Sequence, residues 1–290
     1  MFRVVVLAAA VVVITQQTPI GQIPSSRIIY SRGQTVAPAF EGWEPNPDGS
    51  FNLVFGYMNR NLDEHLNIPI GPANTLDPGG PDQGQPTHFL PRRNRFAFRV
   101  RVPPDFGNNE LVWTLTSRGK TERAYATLRP EYVLDGIIIM RDTGFFGQWG
   151  KGRENQAPVV KVVGTLHRTI TEGQPLALTA LASDDGFPRP RPTPLQMPAR
   201  STAVGLRVAW FVYRGPGAHV SFEPKQFKTY PDYRSNSPWT PGWIPPPLPE
   251  NGTFSVTVSF AKAGTYVLRV MAHDGGFDAT QDVTVTVQPQ

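Results

Sequence analysis

Four aspartates in two glycine-bearing runs are the first candidates for chemistry: Asp184 and Asp185 in Ser-Asp-Asp-Gly, and Asp274 and Asp278 in Asp-Gly-Gly-Phe-Asp. Carboxylates on adjacent loops suit calcium, a hard cation that takes roughly six to eight oxygen ligands. The plainer reading is a pair of turns, because aspartate bonds its own backbone and the following glycine supplies the left-handed conformation. The spacing is not that of a dedicated calcium loop. Arg93, Arg95, Arg99 and Arg101 form a second group. Guanidinium groups in a row fit bidentate capture of carboxylate or phosphate, so the stripe could meet an acidic glycan, an anionic head group or an acidic protein face. Arginine is equally at home on a solvated strand face, guarding against edge pairing, with Asp105, Glu110 and Glu122 as the local neutralising acids. Trp239 and Trp243 on a proline-stiffened stretch, and Trp149 in GFFGQWGKGREN, could stack on sugar rings or receive a partner; the alternative is that they pack down on their own chain.

Nothing announces catalysis. The chain has no Gly-x-Ser-x-Gly elbow, no His-Glu-x-x-His, no phosphate-cradling glycine loop and no cysteine nucleophile. The five histidines are scattered, and His65 and His88 meet only if folding assembles them. The expectation is a non-enzyme with no cofactor, calcium being the one ion considered. The net charge of +5 is modest for 290 residues and does not by itself indicate nucleic acid. Nor are aromatic side chains interleaved with the arginines on their own strand face, which disfavours single-stranded nucleic acid as partner.

The elements that must position these residues are strands. Phe254, Val256, Val258 and Phe260 alternate with Thr253, Ser255, Thr257 and Ser259, and the run from Gly252 to Val287 reads as three strands joined by Ala-Gly and Asp-Gly-Gly turns. Phe51, Leu53, Phe55 and Tyr57 give an earlier strand, and Leu66, Ile68 and Ile70 a neighbour in the same antiparallel sheet. Leu111, Trp113 and Leu115 form another inward row, and Ala124, Ala126 and Leu128 another. Phe96, Phe98, Val100 and Val102 are placed on one face of the arginine strand, with Arg95, Arg99 and Arg101 on the other. Asn46-Pro47-Asp48-Gly49 is a turn, and residues 72–86 a long loop whose prolines and glycines exclude it from a sheet interior. Plentiful proline and glycine and the lack of long helical periodicity fit an all-β chain: two β-sandwich domains in tandem, the second immunoglobulin-like.

The expected organisation is a signal peptide over 1–17, a linker over 18–36, a first sandwich over 37–141, a glycine and aromatic linker over 142–154, and a second sandwich over 155–290. Arg3 followed by the apolar run Val4 to Ile14 has the order of a secretory signal, and the run falls short of the about 20 apolar residues that span a bilayer. The chain is therefore expected to be exported, periplasmic or extracellular, and held to a membrane only if that segment stays uncleaved. Without cysteine its domains must be stable by packing alone.

In the second domain, Asn155-Gln156-Ala157-Pro158-Val159-Val160, Glu172-Gly173-Gln174 before Leu176-Ala177-Leu178, Ser183-Asp184-Asp185-Gly186, and Gly264-Thr265-Tyr266 leading to Asp274-Gly275 resemble polycystic-kidney-disease-type (PKD) and cadherin-like modules of exported bacterial proteins. The resemblance covers residues 155 to 288. It departs from the family in proline-rich enlargements of the middle and in lacking a tight Asp-Gly turn after Trp210-Phe211-Val212. Asn46-Pro47-Asp48-Gly49, Gly84-Gln85-Pro86-Thr87-His88-Phe89 and Val112-Trp113 are similar to the front domain of uncharacterised exported bacterial proteins. A sandwich of this kind puts Trp210 and Tyr266 at the buried tryptophan and corner tyrosine positions. It also gathers Asp184, Asp185, Asp274 and Asp278 at the pole next to Asn155 and the linker. Long insertions over Phe187 to Thr202 and Gly215 to Glu250 are expected to be functional or to fold down as lids. The expectation for function is a structural, adhesive or protein-interaction module of the cell envelope, partnered by an envelope protein or polysaccharide; the alternative is a carbohydrate-binding accessory protein using Trp239 and Trp243.

Overall fold

The computed structural model describes residues 29–143, 155–189, 204–240 and 243–290. The expected signal peptide, Trp149 with its linker, and most of the first insertion lie outside the described residues. The first sandwich contains β1 (Val36–Pro45), β2 (Phe51–Asn59), β3 (Leu66–Asn67), β4 (Asn74–Asp77), β5 (His88–Phe89), β6 (Arg92–Val102), β7 (Leu111–Ser117) and β8 (Lys120–Ala126). One sheet runs β1-β2-β6 and the facing one β4-β7-β8. Between them lie Leu53, Phe55, Phe98, Trp113 and Leu115, all buried, with the Phe55 and Phe98 rings stacked at 5.1 Å and Trp113 edge-on to Phe98 at 4.9 Å. The indole of Trp113 donates to Asn74 Oδ1 at 3.0 Å, and the buried Asn74 amide donates in turn to the carbonyls of Ile68 and Pro86. A polar side chain buried without such partners would cost free energy, so this network fixes the 68–86 excursion to the core.

Two expectations change here. The 66–70 run contributes only the two-residue β3, paired with β5 rather than β2, since Pro69 has no N–H to extend a ladder. In β6 a bulge intervenes: Phe55 pairs with Phe98 and Tyr57 with Asn94, leaving Arg95, Phe96 and Ala97 opposite the single Gly56. Phe96, at φ 51°, is thereby turned out of the main core onto the opposite face, against Val54 and Leu134. Gly56 has no room for a side chain, because a Cβ there would lie 2.5 Å from the Asn94 carbonyl oxygen. The Asn-Pro-Asp-Gly turn is as expected, closing the β1-β2 hairpin with Asn46 N donating to Ser50 O at 2.8 Å. One short helix that the sequence reading passed over, α1 (Gly136–Thr143), follows the first sandwich.

The second sandwich comprises β9 (Val159–Val162), β10 (His167–Thr171), β11 (Leu176–Ser183), β12 (Arg207–Arg214), β13 (Val220–Glu223), β14 (Thr253–Phe260), β15 (Gly264–His273) and β16 (Asp278–Gln288). Its sheets run β9-β11-β14-β13 and β10-β16-β15-β12. With β9 as strand A and β10 as its continuation, these orders are A-B-E-D and A′-G-F-C, the immunoglobulin arrangement. The chain is all-β in two sandwiches, the second immunoglobulin-like. Trp210 lies in the buried core of strand C, and Tyr266 at the start of strand F donates its hydroxyl to Lys262 O at 2.7 Å, a tyrosine corner. The stretch after strand C is not a simple insertion, because it contains β13, paired with β14. Tyr266→Phe keeps the ring in the core and deletes one hydrogen bond; urea unfolding of the variant is expected to show a loss of about 1 kcal/mol.

Candidate functional site

The two sandwiches meet through the outer face of the A′-G-F-C sheet. Inward residues of β12 and β15 fill the second core, so Phe211, Tyr213, Val267 and Arg269 face the other way, and the first three pack into the core of the first sandwich. Arg269 Nε and Nη2 donate to the two carboxylate oxygens of its cross-strand neighbour Asp282 at 2.7 and 2.8 Å, its Nη1 donates to Ala97 O in the β6 bulge at 2.8 Å, and its guanidinium lies 3.4 Å above the Tyr213 ring. Burial works against the charged guanidinium, but Asp282 and Tyr213 outweigh it and hold the pKa above the usual arginine value. The Tyr213 hydroxyl, its pKa pushed up to about 12 by burial, donates to Gly84 O at 2.6 Å. Arg214 grips Asp82 and the Gln85 carbonyl, and Arg234 spans from Asp232 to Asp63 across the same seam.

Into this seam the structure brings a pair that the sequence offered only as a chance assembly. His65 Nδ1 and His88 Nε2 are 3.0 Å apart, and His88 is 5% exposed, with Gly217 of the second sandwich against its ring. Burial and the neighbouring His65 push the His88 pKa down to about 3, and burial lowers that of His65. His88 Nδ1 has no hydrogen-bond partner among the described residues. The ring lines two cavities, one of about 130 Å³ that also touches Arg93, Arg95, Phe96, Trp239 and Asp278, and one of about 360 Å³ reaching Trp210, Phe227 and Lys225.

The arginine stripe is neutralised, though not by Asp105, Glu110 or Glu122. Arg93 donates to Glu41 at 2.7 Å, Arg99 makes a two-point contact with Glu44 at 2.9 and 3.1 Å, and Arg101 pairs with Asp48. The acids come from β1 and its turn. Arg95 sits in the bulge on the wall of the smaller cavity, so the four do not form one open anion-binding row.

The aspartate group divides. Asp184, Asp185 and Asp274 do share a pole with Asn155, and five of their six carboxylate oxygens accept from backbone amides or from Asn155, while Asp184 Oδ1 is buried with no partner among the described residues. Asp274 Oδ1 accepts from Gly276 N at 2.5 Å and Phe277 N at 2.7 Å, and Oδ2 from Asn155 Nδ2 at 3.1 Å. Asp185 accepts from Gln156 N and Phe187 N, and Asp184 Oδ2 from Gly186 N. Burial, with help from Asp184, raises the pKa of Asp274 to about 6 against the pull of those hydrogen bonds. Asp278 departs from the group: it lies on the interdomain side, where burial raises its pKa and Arg99 and Arg269 oppose the rise. Among the described residues no three His, Asp or Glu side chains are arranged to hold a metal ion. The pole is nevertheless a joint, since α1 packs on this turn with Gly136 against the Phe277 ring and Met140 beside Gly276.

Trp239 and Trp243 do not form a shared platform. Trp239 is half-buried on the smaller interdomain cavity, while Trp243 packs edge-on to Phe227 at 5.5 Å on a separate cavity of about 470 Å³.

No protein-family model matches the chain, and no curated protein matches it. Among solved structures, the titin domains z1z2 in complex with telethonin are 10% identical at a TM-score of 0.25, covering 88% of this chain and 98% of that one. The fibronectin(III)-like modules of Clostridium thermocellum CbhA are 11% identical at 0.25, covering 88% and 95%. The PKD domain of human KIAA0319 is 16% identical at 0.23, covering 49% and 90%. The immunoglobulin-like assignment rests on the strand order above and not on these scores.

Two measurements probe the seam. Arg269→Met strands the Ala97 carbonyl and Asp282, and a loss of about 2–3 kcal/mol is expected in urea unfolding, with Asp282→Asn costing less. For the histidines the folded pKa of His88 lies below the unfolded value, so between about 3 and 6.5 the unfolded chain binds more protons. Stability from this group is complete above about pH 6.5 and is lost as pH falls toward about 3. Comparing urea midpoints of wild type and His88→Gln from pH 7.5 to 4.5 should show the steeper decline in wild type; parallel curves would remove the histidine from the acid response.

Proposed function

We propose that the chain is an exported, non-catalytic module of the bacterial cell envelope, in which a PKD-like or cadherin-like sandwich and its companion are fixed as one unit that spaces or docks partner proteins. The observation that carries this reading is the Arg269 clamp. One side chain bonds a carboxylate of its own sheet, covers an aromatic ring and holds a carbonyl of the other sandwich. Domains of one chain move relative to each other unless their interface is large and apolar. Here Phe211, Tyr213 and Val267 extend the first core into the second sandwich, which favours a fixed angle. A fixed angle is useful to a spacer or a docking surface. Export rests on the leader-like order at Arg3 to Ile14, and the PKD-like or cadherin-like assignment on the motifs from Asn155 to Asp274. No helix among the described residues is long and apolar enough to cross a membrane.

Fractionation of cells carrying the tagged full chain is expected to place it outside the cytoplasm. Cross-linking in intact cells is expected to join it to envelope proteins, in adducts that Arg269→Met reduces severalfold. A cytoplasmic location, or cross-links unaffected by loosening the seam, would overturn the reading.

A further inference from the structure

The run Ile244-Pro245-Pro246-Pro247-Leu248-Pro249 belongs to neither sheet and lies in the connection between β13 and β14. Its conformation follows from its composition. Each residue in it is a proline, precedes one, or both, so φ is held at about −65° at the prolines and the residues before them are pushed to extended backbone. Such a run adopts the polyproline II helix, in which six residues extend roughly 19 Å with three residues to the turn. Both ends are fastened to the second sandwich. Trp243 packs on Phe227 at 5.5 Å and its backbone N–H donates to Thr240 O at 3.1 Å, while Gly252 N donates to Pro249 O at 3.0 Å and Gly252 O accepts from Ala182 N of β11 at 2.9 Å. Between these anchors, among the described residues, no backbone–backbone hydrogen bond involves Ile244 to Leu248. All five are exposed, Ile244 at 83% and Leu248 at 52%, so the run presents apolar side chains and unpaired carbonyls together. The three-residue turn puts Ile244 with Pro247 on one edge and Pro245 with Leu248 on the next.

We propose that Ile244 to Pro249 is a preformed ligand for a partner protein whose groove is lined by aromatic rings. Proline rings and the two aliphatic side chains pack on flat aromatic faces, and a Trp N–H or Tyr O–H in the groove donates to the unpaired carbonyls, as in the recognition of proline-rich segments generally. Strand addition is excluded for this run, because its prolines have no N–H to offer a ladder. The segment carries no charge from Trp243 to Pro249 and is followed by Glu250, so an acidic groove is disfavoured. Anchoring at both ends lowers the ordering cost that a loose peptide would meet on binding. The inference deepens the docking role proposed above and rests on it only in taking a protein as the partner; defined domains in vitro test it without reference to location or to the Arg269 seam, so either can fail alone.

The probe is a purified, isotope-labelled WW domain, a fold that grips Pro-x-x-Pro segments between aromatic rings, titrated with the full chain and followed by NMR. Pro246-Pro247-Leu248-Pro249 supplies that pattern. Saturable one-to-one binding is expected, with shifts concentrated on the aromatic residues of the groove. Leu248→Ala is expected to weaken it at least fivefold, and Ile244→Ser and Pro246→Ala severalfold, whereas Tyr125→Ala, at a ring 54% exposed on β8, leaves it unchanged. Urea midpoints of Leu248→Ala and wild type are expected to coincide, which separates a lost contact from a lost fold. The proposal is overturned by the absence of saturable binding, by shifts that avoid the aromatic groove, by Leu248→Ala binding as tightly as wild type, or by self-association through Leu248 in place of domain binding.

Discussion

A guanidinium buried between two sheets must have its donors satisfied, and the way Arg269 meets that requirement determines how the two sandwiches sit together. Asp282 opposite it on β16 supplies two acceptors, and the Tyr213 face supplies a third favourable surface. Nη1 reaches across to a carbonyl of the other sandwich, Ala97 O at 2.8 Å. β6 is the edge strand of its sheet, so backbone groups on its outer side have no ladder partner within that sheet. The acceptor that Arg269 takes lies in the bulge, where Arg95, Phe96 and Ala97 stand opposite the single Gly56. The interdomain contact is therefore made at an irregularity of β6 that faces a glycine with no room for a Cβ.

The same bulge explains much of what the sequence concealed. Period-2 alternation made the strands at Phe51, Leu111 and Gly252 plain, and the tryptophan and tyrosine of the second sandwich follow from strand order once those strands are placed. A bulge leaves no mark on that pattern: Phe96 looks like one more inward aromatic beside Phe98, and only its packing on Val54 and Leu134 shows that it has changed face. The arginines could be seen as a stripe, but their partners Glu41, Glu44 and Asp48 belong to β1 and its turn, a segment with glycine and proline in place of clean alternation. Charge neutralisation across strands is a property of register, which one strand's sequence does not contain.

The aspartates show the complementary limit. Spacing correctly placed Asp184, Asp185 and Asp274 at one pole with Asn155, because loops between consecutive sandwich strands alternate between ends. Where each carboxylate points depends on which backbone amides the turn presents, and three of the four turn toward those amides or the adjoining segment, while Asp278 is drawn toward Arg99 and Arg269. A short acid-rich turn supplies its own donors before a metal can compete, unless several oxygens are left over.

Trp210 shows how a core position and a strand edge make different demands on one residue. In an immunoglobulin sandwich the strand C tryptophan fills the core, and here its ring does so, packed among Val256, Leu268 and Val283. The backbone N–H of Trp210 donates to Gln226 Oε1 at 2.9 Å, and the amide nitrogen of that glutamine donates to Pro224 O at 2.6 Å. Both ends of that glutamine are committed to holding the loop against the edge of β12. Strand C is an edge strand in its sheet, and an edge must be capped or it invites pairing with other chains. The backbone of the edge strand has its cap in Gln226, while the indole N–H, carried into the core with its ring, has no partner among the described residues.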